Sequence, residues 1–289
     1  MQVTYLVLVH QQPRQLAALL DLLVADGDRA LVHVDARAGD EEFRVATAHL
    51  ADRVRFTRDR HRVTWGGFGA VAATTSALRQ AVAEVPGDYY ALVSGADLPI
   101  KPVAALHAEL ASGAVYMSCN PMPSPETGKP MSRLERWNLT SARPHSRLVY
   151  RLNRHVVHRL PRRDVRRALG GARPHAGSQW WLVPHACAEE LLAFIDRSPR
   201  FVRFFHHAQV PDEMFFQTVL MALPHAYDVR GNLTHTRWTG DLAGRTSPAT
   251  LHVEDLGELA RSPRYFARKF DHAADPAVYE AVRTQLLAR

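Results

Sequence analysis

Hydrophobic positions in the first half of the chain fall into two alternating rhythms. Val3 to Val9 is a short, continuous, β-branched run, which predicts a strand buried on both faces. Pro13 stands where a helix can begin, and Leu16, Leu19, Leu20 and Leu23 give that helix one apolar stripe. Ala30 to Asp35 reads as a second strand and Val54 to Phe56 as the start of a third. A helix over 68–85 follows the Gly66-Gly67 turn, and Tyr90 to Val93 is another buried strand. Strand and helix alternating in this way predict an α/β fold with a mainly parallel sheet and right-handed crossovers.

The pattern weakens from about Pro121 to His175, where prolines cluster at 121, 123, 125 and 130 and arginines follow. This predicts an excursion or lid over the sheet. Order returns with Gly177 to Val183, a strand leading into a helix over 186–196. A second helix is expected from Pro211, with Asp212 and Glu213 in its first turn, where carboxylates suit the helix dipole. The tail is loop-rich and closes with a helix over 275–287. No repeat, low-complexity tract or linker divides the chain, so residues 1–289 are expected to form a single domain carrying the basic excursion.

Composition changes this picture little. At 289 residues the chain can bury a large core, and 46% hydrophobic with 22% charged residues is ordinary for a globular protein. No apolar run is long enough to span a bilayer, and no basic leader or cleavage site precedes the first strand. Cys119 and Cys187 are the two cysteines, too few for a disulfide framework. The expectation is a cytoplasmic protein, peripheral at most at the inner membrane face. A net charge of +7 raises the question of anionic partners, because arginines crowd the excursion from Arg143 to Arg173. They form either a solvated face or a contact for an anionic acceptor or an acidic membrane surface. No nucleic-acid module accompanies them, so nucleic acid is not expected. Lysine occurs only at 101, 129 and 269, so a lysine within a motif is rarely filler.

Candidate chemistry begins at Val93 to Lys101. A buried strand runs there into Ser94-Gly95-Ala96-Asp97 and a proline turn, and open α/β sheets bind ligands beyond the carboxyl ends of their strands. P-loop, dinucleotide and serine-hydrolase signatures are absent. The 16 histidines do not fall at metal-ligating spacings. Asp26-Gly27-Asp28 has the form of a cation-binding pair but the chemistry of a turn. Glu213, followed by Met214, Phe215 and Phe216, is the sharpest catalytic candidate. Half-sunk beside those apolar residues it would have its pKa raised towards that of a general base; alternatively it is a simple helix-start acid. Tryptophans 65, 137, 180, 181 and 238 fill core or offer flat platforms for a sugar or base. Lys269 and Arg245 are late cations, read alone as surface charge or as site groups.

Seven segments in order resemble the core-2/I-branching family, which includes β-1,6-N-acetylglucosaminyltransferases and protein O-xylosyltransferases. They are Leu6 to His10, Val32 to Asp35, Trp65 to Phe68, Ser94 to Lys101, Gly177 to Trp180, Pro211 to Thr218, and Phe266 to Phe270. The resemblance implies a GT-A-like, Rossmann-type sheet flanked by helices. It further implies an inverting transferase that uses a UDP-sugar without a divalent metal or other cofactor. Glu213 then takes the role of catalytic base. His10, Asp35, Trp65, Asp97, Arg245 and Lys269 are expected on the donor, the last two facing the diphosphate in place of a cation. Gln179, Trp180, Asp212 and Trp238 are expected on the acceptor. The xylosyltransferase branch carries a second acid where this chain has Gln179, which tilts the donor towards N-acetylglucosamine. Animal members are cysteine-rich and membrane-anchored, whereas this chain has neither feature and looks bacterial. Its acceptor would be a hydroxyl of a glycan, a glycoside or a lipid-linked sugar. The alternatives are transfer of xylose or another sugar, and a catalytically silent glycan- or nucleotide-binding relative.

Overall fold

The expected βα rhythm is present in the computed structural model, which describes residues 1–124, 128–139, 147–240 and 246–288. In order come β1 (Val3–Val9), α1 (Pro13–Leu23), β2 (Arg29–Val34), α2 (Glu41–Ala46), β3 (Val54–Phe56), α3 (Gly69–Glu84) and β4 (Tyr89–Ser94). α2 has no counterpart in the sequence reading, because its one buried residue, Phe43, makes no stripe. After β4 the chain forms β5 (Asp97–Pro99), α4 (Val103–Leu110) and β6 (Val115–Met117). The excursion is less irregular than its composition implies. It contains β7 (Asn120–Pro121), α5 (Ser132–Glu135), α6 (Arg147–His155), α7 (Val165–Ala168) and β8 (His175–Ala176).

β9 (Trp181–Pro184) leads into α8 (His185–Arg197) and α9 (Pro199–Phe205). α10 (Phe215–Met221) and β10 (Val229–Arg230) follow. The central sheet has the order β10-β6-β9-β4-β1-β2-β3. β9 runs antiparallel to both neighbours and every other pairing is parallel. This is the predicted α/β class with a mainly parallel sheet. Successive strand residues point to opposite faces, and two separate cores result. Val3, Tyr5 and Val7 pack with the leucine stripe of α1 and with the C-terminal helix α12 (Val278–Val282). Leu6 and Leu92 pack on the other face with Leu78 of α3 and Leu191 of α8.

The remaining strands are β11 (Thr234–Thr236), β12 (Trp238–Gly240), β13 (Thr246–Pro248) and β14 (Phe266–Arg268); α11 (Leu256–Arg261) lies between the last two. β14 pairs antiparallel with β5, setting Arg268 opposite Asp97, and parallel with β11. The chain's closing motif is thereby stitched to its central one. Phe270 N–H donates to Ala96 C=O at 2.8 Å. The buried Gln15 amide donates to the carbonyls of Gly95 and Phe270 at 2.7 and 3.2 Å.

Asp26-Gly27-Asp28 is a turn, with Gly27 at φ +93°. Asp28 is buried there as a structural acceptor, taking bonds from Val3 N–H at 2.9 Å and Tyr5 O–H at 3.3 Å. Its position at the amino ends of β1 and β2 puts it at the opposite edge of the sheet from the carboxyl-end site.

Candidate active site

Beyond the carboxyl ends of β1 and β4 opens a cleft of about 1570 Å³. Its walls come from β1, the corner after β4, the Gly177 to Trp180 segment, the Val210 to Glu213 turn, β11, the β12–β13 hairpin and the closing motif. His10, Trp65, Gln179, Trp180, Asp212, Glu213, Trp238 and Lys269 line it, which brings together most of the residues singled out by sequence. Arg245 lies outside the described residues.

The Glu213 turn is held from three sides. Pro211–Glu213 form a single 3-10 turn, entered through Val210 at φ +54°, a costly conformation for a β-branched residue. Val210 N–H donates to Gly66 C=O at 3.0 Å, so the Trp-Gly-Gly turn braces it. Gly177 N–H donates to Glu213 C=O at 2.9 Å, and Gln217 Nε2 donates to Ser178 C=O at 2.6 Å. Only glycine fits at 177, because a Cβ would lie 1.6 Å from Ser118 O.

This geometry corrects the expected surroundings of Glu213. Met214, at φ −139°, interrupts the helix, and α10 starts only at Phe215. Met214, Phe215 and Phe216 therefore turn into the core, where Phe215 stacks edge-on against Phe205, while Glu213 faces the cleft. Its neighbours are cations. Arg133 Nη1 lies 2.7 Å and Lys129 Nζ 3.1 Å from Glu213 Oε2. Both come from the basic excursion, and neither was singled out as a site residue. The signal for Lys129 was its rarity, as one of three lysines.

Asp212 Oδ1 is buried without a hydrogen-bond partner. Burial, with the Glu213 charge beside it, pushes the Asp212 carboxyl up to about 7.

Asp97 and Asp35 sit behind the cleft wall. Asp97 is wholly buried, accepting from Ser94 N–H at 2.9 Å, Ser94 O–H at 2.6 Å and Arg268 Nε at 3.1 Å. It braces the corner and aims Arg268, which does line the cleft. Asp35, 3% exposed, accepts from the Arg37 side chain at 2.8 and 3.0 Å and from Val63 N–H at 3.0 Å. These bonds hold its carboxyl below the usual range against the opposing effect of burial. Both are expected on the donor, yet neither lines the cleft: each carboxylate is engaged by internal donors and holds neighbouring groups in place.

The tryptophans divide. Trp65 and Trp238 are 85% and 57% exposed at the cleft rim, as platforms would be. Trp180 is buried, its ring covered by the Arg268 guanidinium at 4.6 Å. It positions Arg268 by a cation–π contact and offers no open face. Lys269, His10 and Asp271 line the cleft, with His10 and Asp271 each within electrostatic reach of Lys269. Desolvation, aided by Lys269 and Arg37 and opposed by Asp35, lowers the His10 imidazole below its ordinary range. Among the described residues no cluster of three His, Cys, Asp or Glu side chains is arranged to hold a metal ion.

Fold and cleft together define an α/β protein with a polar ligand site at the carboxyl ends of a mainly parallel sheet. The model of the Core-2/I-Branching enzymes matches residues 3–260, and the chain belongs to that glycosyltransferase family. Solved structures with remote likeness include mouse xyloside xylosyltransferase 1, 12% identical over 80% of this chain and 85% of its own, with a TM-score of 0.35. Glucosyl-3-phosphoglycerate synthase from Mycobacterium tuberculosis is 10% identical over 86% of each chain, with a TM-score of 0.33. No curated protein matches. No helix among the described residues is long and apolar enough to cross a membrane.

Proposed function

We propose that this protein is an inverting, metal-independent glycosyltransferase that moves a sugar from UDP to a hydroxyl of a glycan, glycoside or lipid-linked acceptor. The observation that carries this reading is one cleft walled by the Glu213 carboxylate and, elsewhere along it, by Lys269 and Arg268. Glu213 removes the acceptor proton as the oxygen attacks the anomeric carbon. Arg133 and Lys129 orient that carboxylate, and an acceptor hydroxyl displaces one of them on binding. Negative charge then grows on the departing diphosphate, where Lys269 and Arg268 supply compensating charge; Arg245 belongs to the same group by resemblance. Asp97 supports the metal-free reading, because its oxygens are engaged by Ser94 and Arg268. Gln179 on the cleft wall, in place of a second acid, favours N-acetylglucosamine over xylose as the donor sugar.

A binding relative without turnover is the second reading. The two ion pairs at Glu213 favour it, because they compete with proton abstraction.

Thermal unfolding with UDP and a panel of UDP-sugars, in excess chelator, tests the donor assignment. A ligand that binds only the folded state adds about 2.7 kcal/mol at a hundredfold excess over Kd. The expected result is a rise in Tm with UDP despite the chelator, largest for the true donor. A rise that appears only after divalent cation is restored overturns the metal-free assignment, and no rise under either condition overturns the donor class.

A further inference from the structure

The charge of this chain is unevenly placed. Residues 128–176 hold 13 of its 36 Lys and Arg but only 2 of its 29 Asp and Glu. The rest of the chain is therefore net acidic, and the +7 of the whole originates in this segment. The same segment carries a second anomaly. Of ten large hydrophobic residues left exposed among the described residues, five lie at 137–160: Trp137, Leu139, Leu148, Val156 and Leu160.

These residues belong to one unit. Asn153 of α6 exchanges two hydrogen bonds with the Leu139 backbone, at 2.8 and 2.9 Å, and Trp137 Nε1 donates to Pro161 C=O at 3.2 Å. Arg163 fastens the unit to the body of the protein. Its guanidinium lies 3.7 Å from the centre of the Phe204 ring and 5.1 Å from that of Trp137, and burial pushes its pKa down to about 10. The arginines that point outward are different ones. Arg147, Arg151 and Arg159 are exposed, and Leu148 and Val156, 67% and 54% exposed, alternate with them along α6 and the turn after it.

We infer that this face docks on an anionic lipid bilayer, with Leu148, Val156 and Leu160 entering the interface and the flanking arginines meeting phosphate headgroups. Charge complementarity alone would serve any polyanion. Exposed leucine and valine interleaved with arginine gain nothing from a nucleic acid or an acidic polysaccharide, but they gain apolar burial at a membrane surface. The inference does not depend on the donor or the reaction proposed above.

Vesicle flotation of the intact protein tests it, with phosphatidylglycerol-containing vesicles against phosphatidylcholine alone. Partition is expected to be about tenfold or more stronger on the anionic vesicles and to fall steeply as salt rises. R147E combined with R151E should abolish that preference. L148S combined with V156S should weaken anionic-vesicle binding several-fold while leaving retention on heparin unchanged; these exposed positions keep the test valid should the charge reversal fail to fold. Equal partition onto both vesicle types, or no partition onto either, overturns the inference. So does tight heparin binding with vesicle binding that L148S and V156S leave intact, which would mark a site for soluble polyanions.

Discussion

Two turns at the mouth of the sheet border the same cleft and place their carboxylates in opposite ways, one behind its wall and one on it. At the corner after β4, Asp97 is wholly buried and its oxygens are taken by Ser94 and by Arg268, which reaches it from a strand 171 residues away in sequence. At the Pro211–Glu213 turn, Glu213 is partly exposed and its cationic partners arrive along side chains that themselves line the cleft. The first carboxylate is a brace whose removal strands a cation. In the reaction proposed above, the second is the working group, with partners that an incoming hydroxyl can displace. Residue type does not separate them. The difference lies in whether their partners are fixed by backbone pairing or only by reach.

The largest expected effect falls on the working group. Glu213→Gln should lower turnover by about 10²–10⁴-fold while UDP still raises Tm, as loss of a general base requires. Turnover within a factor of a few of wild type would remove Glu213 from the chemistry.

At the brace the effect should appear in stability. Asp97→Ala leaves Arg268, whose side chain is 17% exposed, without its carboxylate, at a cost of about 3–5 kcal/mol in denaturant unfolding. A change under 1 kcal/mol would show that Arg268 finds a substitute partner and that the two turns are less different than the geometry indicates.

Asp212 sharpens the contrast through pH. Its carboxyl titrates at about 7 when folded, against 3.8 ordinarily, so the folded protein holds a proton that the unfolded chain has released between those values. Stability should therefore fall as pH rises through that window, and the penalty should be complete above it. Asp212→Asn is expected to flatten this slope and to stabilise the protein at about pH 8 by on the order of 1–3 kcal/mol. Identical slopes for the variant and wild type would assign the pH dependence to other groups.

The smallest effect belongs to the excursion's surface. The Arg162–Glu135 pair, at 3.2 Å with Arg162 72% exposed, should contribute about 0.2–1 kcal/mol, measured by a double-mutant cycle. A larger value would mean that the segment is tied to the body more tightly than Arg163 alone accounts for.

Much of the scaffold was legible beforehand. β1, α1, β2, β3, α3 and β4 follow from uninterrupted apolar runs and one leucine stripe, and the cleft lies beyond the strands where an α/β sheet places it. α2 was not legible, because one buried phenylalanine leaves no period. Glu213 was legible as a candidate, but its setting was not. Apolar residues that follow an acid in sequence say nothing of where they point once Met214 breaks the helix. Arg268 stood inside the closing motif, yet its place on the cleft wall beside Asp97 emerges only when β14 pairs with β5. Lys129 and Arg133 stood in the segment least covered by the resemblance.

What the sequence by itself determined is local: which stretches are buried, where strands end, which turns demand glycine, and which polar residues stand at those ends. These follow from side-chain periodicity and backbone preference, properties that act over a few residues. Only the tertiary structure decided which carboxylate is buried as a brace and which faces the cleft. That depends on which cations arrive from distant segments, and long-range pairing is set by how the two faces of one sheet close over their cores.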